Sequence, residues 1–423
     1  MMWSGATSSW RWDLRLRVEV YSKGNIGKSS PPKLGDRALF PNLEGAAYLA
    51  HAAISPLSAP VCERIRELTE DYSRGGMAGF VRWAPRLRQV REDFAGLISA
   101  APTEIAVVAN TTQGVIDVAF GLPWGRGDRV LLFDGEFPAN VTPWQQAAEE
   151  FGLELRWLSL DPFRRCVDEG LAALDGVLKQ GVRLVAVSAV QYKTGLRMPL
   201  AEMASLCHEY DAEIFVDAIQ ALGATPVDVS WGIDYLSSGS HKHLMGAEGT
   251  GFLYVAERCA ATMKPRLAGW LGHEDPVAFL TSDEPQLRYD NPLKRGAPAF
   301  ELGTSNVIGI AALGASLELL GQLGVPAIHA HVDAYLEALE AGLVDRGFRS
   351  QRAQAPALRS TLLSLAVPSD IRLSKLAAAL RDRGVVCNTP DGLMRFAPHW
   401  PNAHGEVPQV LDAVDQALAE LRG

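Results

Sequence analysis

One lysine stands between two histidines in SSGSHKHLMGAEG, residues 237–249, with glycines on both sides. On its own, Lys242 reads as a solvated loop residue, because lysine mostly stays exposed. Asp217 closes the apolar run AEIFV. A carboxylate there is unfavourable without a cationic partner; the other reading is an aspartate that caps a helix. Gln220 follows one helical turn on, where it can face the same place. The run EIAVVA leads into NTTQG, residues 110–114. A hydroxyl pair that opens a helix after a strand suits a phosphate, because free N–H groups and the helix dipole face the anion. Thr111 or Thr112 as a plain N-cap is the alternative. Phe137, in GEFPAN after DRVLLFD, stands where a ring can cover a flat ligand or simply pack. His241 and His243 would suit a metal on a strand face, but no third ligand is near, and no metal is expected.

These residues need a scaffold that brings them together, and the pattern supplies one. From residue 105 short apolar runs alternate with amphipathic stretches: EIAVVA, DRVLLFD, LELRWLSL, RLVAVSAV, AEIFVD, IDYLSSG and GTGFLYV read as strands. Near-continuous apolar strands are buried on both faces. Their alternation with helices implies a mainly parallel, seven-stranded sheet sandwiched by helices in an α/β domain. Sites in such sheets lie at the carboxyl ends of strands, and each residue above follows such an end. A phosphate cradle, an aromatic cover, a buried carboxylate and a lysine together suit one cofactor. Pyridoxal phosphate has a phosphate, a flat ring, a basic ring nitrogen and an aldehyde that condenses with lysine. Lys242 is then placed to form a Schiff base with that aldehyde.

The chain has 423 residues, enough for two domains. The expected division is an N-terminal extension over 1–37, poorly ordered and without the apolar block of a secretory signal; a large cofactor-binding domain over 38–310; and a smaller α+β domain over 311–423. With 40 Lys and Arg against 49 Asp and Glu the net charge is −9. That argues against nucleic acid, which needs a basic surface. Five scattered cysteines, without a CxxC, suit reduced thiols in a cytoplasmic protein. No apolar run approaches a membrane span.

The stretch IDYLSSGSHKHLMGAEGTGFL, residues 233–253, resembles the lysine signature of the class V aminotransferase family, of the aspartate-aminotransferase fold type (fold type I). The similarity runs from AAYLAHAAISPL at residue 46 to the end. Cysteine desulfurases, isopenicillin N epimerase-like proteins, kynureninase and some carbon–sulfur lyases belong to that family. The resemblance implies Lys242 as the Schiff-base lysine, Asp217 as partner of the pyridine nitrogen and Gln220 at the ring hydroxyl. It implies Thr111 and Thr112 at the phosphate, helped by Ser240 and His241. Phe137 takes the place of a histidine often stacked on the ring, and Tyr192, in VQYKTG, stands where desulfurases carry Asn. Arg395, in LMRFAPHWPN, matches the arginine that grips a substrate α-carboxylate; His51 and Ala53 would lie beside the substrate. FELGTSN, residues 300–306, resembles the segment that reaches a neighbour's phosphate in a homodimer, through Thr304.

The activity implied is that of an amino-acid-directed enzyme performing transamination, epimerisation or β-elimination such as carbon–sulfur cleavage. Desulfurases carry a nucleophilic cysteine on a mobile loop before the arginine. Here that loop is NTPDG, and Cys387 precedes it in GVVCN, which reads as a buried strand. A persulfide-forming desulfurase is therefore the second reading. A nucleotide-binding protein lacks support, since neither GxGxxG after the first strand nor GxxxxGK[ST] is present. A binding protein that has lost activity is disfavoured by Lys242, Asp217 and Arg395 all being kept.

Overall fold

A computed structural model describes residues 31–423. Most of the expected N-terminal extension, residues 1–30, lies outside the described residues. Just after it, the Gly35 N–H donates to Trp400 O (2.7 Å) and the Arg37 guanidinium to Leu43 O (2.8 Å).

Among the described residues twelve strands occur in chain order: β1 (Ala47–Tyr48), β2 (Ile105–Val108), β3 (Arg129–Phe133), β4 (Glu154–Leu158), β5 (Leu184–Ser188), β6 (Glu213–Asp217), β7 (Tyr235–Gly239), β8 (Gly251–Val255), β9 (Arg349–Ser350), β10 (Leu363–Ala366), β11 (Val385–Val386) and β12 (Met394–Phe396). Seven form one sheet in the order β2-β8-β7-β6-β5-β3-β4. Only β8 runs against its neighbours. Its link to β7 is the lysine loop, with no crossover helix to return the chain to the starting edge. Strands β5, β7 and β8 are buried along their whole length, as expected for strands covered on both faces. Each fully buried Val, Leu or Phe contributes roughly 1.5–3 kcal/mol. The sheet is therefore a rigid platform for the loops that leave its strand ends.

The stretch between residues 54 and 104, left unassigned by the sequence pattern, holds two long helices, Ala59–Gly75 and Met77–Leu97. Gly76 joins them at φ 48, a conformation that favours glycine. Both pack on the helix Val307–Leu323. Phe94 stacks on Phe252 of β8 at 3.9 Å, which fixes the second helix to the sheet. Toward the C-terminus β12, β10 and β9 make an antiparallel sheet, and β11 pairs in parallel with β1. That pairing and the Ala50–Ala397 bridge bring residues 47–53 beside the Arg395 strand.

Candidate active site

Five strand ends on one edge of the sheet carry the expected residues. Asp217 is the last residue of β6, in register with Ser188 of β5 and Ser237 of β7. Its Oδ1 accepts from the Ile219 N–H at 3.0 Å. The segment after it turns rather than forming the expected helix, so Gln220 arrives by a turn and not by helical spacing. Gln220 is buried; its Nε2 donates to Ala52 O (3.1 Å), while its Oε1 has no partner among the described residues. Gly223, at φ 97, runs against the lysine loop: a Cβ there would lie 2.2 Å from His243 O. Only glycine permits that approach.

Lys242 lies three residues beyond the end of β7, half-buried. Burial pushes its amine down to about 8; Asp217 opposes the shift and Arg395 adds to it. Asp217, in turn, is pushed up to about 6 by burial, against the Ile219 N–H and Lys242. The Lys242 Nζ is 5.5 Å from the centroid of the Phe137 ring. Phe137 meets Tyr192 edge-on at 5.3 Å and is 46 % exposed, so it packs on one side only.

Arg395, on β12, is buried. It donates from Nη1 to Tyr192 O at 2.7 Å, and its Nε has no partner among the described residues. Burial holds the guanidinium down at about 10. No carboxylate among the described residues lies within ion-pair distance of it. A buried cation left without an acid is a strong pull on an anion.

The threonines differ from the plain-cap reading. Asn110 is the N-cap, its side chain accepting from the Gln113 N–H at 2.9 Å. Thr111 is buried. Its Oγ1 accepts from the Gly239 N–H (2.8 Å) and its carbonyl from the Ser237 hydroxyl (2.9 Å). Thr112 is exposed in the same helix turn. His241 flanks Gly239 beside Thr111. The Ser240 hydroxyl is buried and turned toward Thr250 O (2.9 Å) and Ala247 O, which closes the lysine loop. Thr304 is exposed, in a cavity at the end of the edge strand β2 lined also by Gln113, Gly249 and Asn306.

Behind the lysine loop lie three buried histidines. The His399 ring stacks on His243 at 5.7 Å and tilts against His51 at 5.4 Å. Burial keeps all three neutral, with His399 held down at about 3. His51 shares 2.8 Å with the Ser55 hydroxyl, which donates to Lys242 O at 2.7 Å. His51 therefore sits in the layer under the lysine backbone, while Ala53 is half-buried nearby. Among the described residues no three His, Cys, Asp or Glu side chains are grouped to hold a metal.

Sequence reading missed Glu136, immediately before Phe137. Its buried carboxylate accepts from the Ser188 N–H (2.8 Å), the Ser188 hydroxyl, Gln191 Nε2 (2.9 Å) and Asn140 Nδ2 (3.3 Å). Asp134 and Gly135 separate it from β3, so in the sequence it looks like one more charge in a polar turn.

The residues present fit pyridoxal phosphate. A buried carboxylate with spare acceptor capacity suits a basic ring nitrogen. A partly neutral amine suits an aldehyde, the half-open Phe137 ring suits a flat ring, and the unpartnered Gln220 Oε1 suits a hydroxyl.

Comparison with known proteins agrees with this geometry. The family described as Aminotransferase class-V matches residues 47–394. An uncharacterised aminotransferase of Bacillus subtilis, YcbU, is 27% identical over 89% of this chain and 96% of its own. A cysteine desulfurase of Klebsiella pneumoniae is 32% identical, covering 72% of this chain and 76% of its own. Among solved structures, the apo cysteine desulfurase of Thermococcus onnurineus superposes with a TM-score of 0.78 at 25% identity, over 88% of this chain and 94% of its own. A C-DES structure reaches 0.81 at 24% identity, over 90% and 98%, which speaks to the fold. The chain belongs to the class-V aminotransferases and is a pyridoxal-phosphate-dependent enzyme of the aminotransferase-like fold. No single helix among its described residues is long and apolar enough to cross a membrane.

Proposed function

We propose that the enzyme acts on a small α-amino acid, whose carboxylate Arg395 binds and whose Cα proton Lys242 removes, without a protein persulfide. The observation that carries this reading is the buried, acid-free guanidinium of Arg395 on the same site as Lys242. Its planar fork suits a carboxylate held bidentately. Asp217 would hold the cofactor's ring nitrogen in its protonated form. Thr111, Thr112 and His241 would lie at the phosphate, with Ser240 shaping the loop beside them. Phe137 and Tyr192 would cover the ring, and Gln220 would meet its hydroxyl. Bound there, pyridoxal phosphate supplies an electron sink for the charge left at Cα. Lys242, drawn down by burial, is a base strong enough to take that proton and weak enough to return it. Transamination, epimerisation and β-elimination all share that first proton transfer.

A desulfurase thiol has no support here. Cys387, beside β11, is pushed up to about 12 by burial. At neutral pH it is a thiol, not the thiolate that attacks sulfur. The loop after it, Thr389–Leu393, holds no cysteine. If a carbon–sulfur bond is cleaved, sulfur leaves directly by β-elimination. The functional unit is a cytoplasmic homodimer in which Thr304 reaches the neighbour's phosphate site.

The test offers a panel of amino acids to the purified loaded enzyme, with products identified by mass spectrometry, for wild type, Arg395→Lys and Cys387→Ala. Arg395→Lys should raise KM about 10- to 100-fold, the loss of one charge-assisted hydrogen bond, with cofactor retained. Cys387→Ala should keep most activity. A persulfide on Cys387, or unchanged KM in Arg395→Lys, would overturn the proposal.

A further inference from the structure

We propose that Glu136 is a positioning residue: its ionised carboxylate pins the loop after β3 to the end of β5 and thereby sets the Phe137 ring over the site. The inference rests on the reading of Phe137 as the ring that covers the cofactor.

Two consecutive residues on each loop make paired contacts. Glu136 holds Gln191 through Nε2 at 2.9 Å, and the next residues, Phe137 and Tyr192, meet ring to ring at 5.3 Å. The carboxylate also takes the N–H and hydroxyl of Ser188, the last residue of β5, which is in register with Asp217. Asn140 donates to it from the far end of its own loop, and the Trp144 indole N–H then donates to Asn140 Oδ1 at 3.2 Å. One carboxylate thus joins β5, the Gln191–Tyr192 segment and the Phe137 loop.

The chemistry of its partners favours the ionised form. A backbone N–H and two amide N–H groups aimed at the carboxyl oxygens are served best by an acceptor-only group, which an ionised carboxylate is. Burial, helped by the nearby Asp217, pushes the carboxyl up from its ordinary range, and the Ser188 hydroxyl, the Gln191 amide and the Ser188 N–H oppose that shift. Glutamine at this position has the same shape, but its amide nitrogen would face donors. The loop would then lose its anchor at the point where Phe137 leaves it. The Phe137 carbonyl accepts from the Asn140 N–H at 2.9 Å, but its ring is 46 % exposed with Tyr192 at its edge, so the ring's place follows from how the loop is held.

The test titrates cofactor-free protein with pyridoxal phosphate and reads the dissociation constant from visible absorbance. Wild type, Glu136→Gln, Phe137→Ala and the double variant are compared, with the unfolding midpoint of each cofactor-free protein alongside. Glu136→Gln should weaken binding about 10- to 100-fold, the loss of charge-assisted hydrogen bonds. The double variant should be little weaker than the worse single one, because Glu136 acts through Phe137. Losses that multiply in the double variant would overturn the inference, as would normal binding in Glu136→Gln. So would a Phe137→Ala variant that binds like wild type. A wild-type chain that takes up no pyridoxal phosphate defeats the underlying reading instead. Where Glu136→Gln does not fold, Ser188→Ala removes one donor and keeps the carboxylate. It should weaken binding about 2- to 10-fold with the same non-multiplying pattern against Phe137→Ala, and independent losses there would count against the inference equally.

Discussion

At the scale of single residues the site is governed by shifted proton affinities. Asp217 ends β6 and Lys242 follows the neighbouring strand β7, and burial drives each toward its neutral form while each favours charge on the other. The amine would titrate at 10.5 in water and is pushed down to about 8. At pH 7 about a tenth of it is then neutral, against fewer than one in a thousand unshifted. Only the neutral amine attacks an aldehyde, so cofactor loading should follow it. The rate at which the visible band grows on mixing cofactor-free protein with pyridoxal phosphate should rise about tenfold per pH unit below 8 and level off above about 9. A rate that kept climbing toward pH 10.5 would mean that burial does not act as described. The stability of the cofactor-free chain carries the same sign. Between about 8 and 10.5 the folded state binds fewer protons at Lys242 than the unfolded state, so this contribution grows with pH across that window. Asp217 works oppositely, its contribution falling as pH rises from 3.8 to about 6. Asp217 stood out in the sequence as a charge closing an apolar strand, Lys242 stood out only once the other strand ends were read beside it, and Arg395 was reached only through the family resemblance. Glu136 did not stand out, because its partners, Ser188 and Gln191, are ordinary polar residues 52 and 55 positions away.

At the scale of elements, turns do as much as strands. The strand runs were readable because burial on both faces leaves a continuous apolar signature. The segment after β6 is a turn where the sequence suggests a helix: AIQALG has helical composition, yet Gly223 takes φ 97 and lets that segment lie against the lysine loop. The helices Ala59–Gly75 and Met77–Leu97 carry many charges and no strand-like run, so nothing in the strand pattern pointed to them. Gly223→Ala puts a methyl 2.2 Å from His243 O. It should cost about 1–3 kcal/mol in denaturant unfolding and weaken cofactor retention on gel filtration, because the lysine loop must move. Full stability together with full retention in that variant would show that the contact is slack. The Thr389–Leu393 loop is closed by paired backbone bonds between Asn388 and Arg395 and tied across to Lys193 through Asp391. Its anchoring differs in kind from a loop that must swing a thiol to substrate.

At the scale of the molecule, the sheet order and the single antiparallel strand β8 put the five strand ends that carry candidate residues on one edge. A mainly parallel sheet with a site at its strand ends followed from the alternation of strands and helices in the sequence; the strand order and the reversed β8 did not. The assembly did not, because Thr304 stands exposed at the sheet's far edge, and a surface threonine says nothing of its neighbour. In the proposed dimer, loaded protein should sediment at twice the chain mass of 45.7 kDa, and Thr304→Ala should lose cofactor faster on dialysis. A fully active monomer at assay concentration would contradict it. The central claim is that Lys242 carries the cofactor, and reduction tests it most directly. Loaded protein is treated with borohydride, digested and mapped by mass spectrometry, with Lys242→Ala alongside. The account predicts the cofactor's added mass on the peptide containing Lys242 and neither that mass nor a visible band in the variant. The same mass on another lysine in the wild-type protein would contradict it.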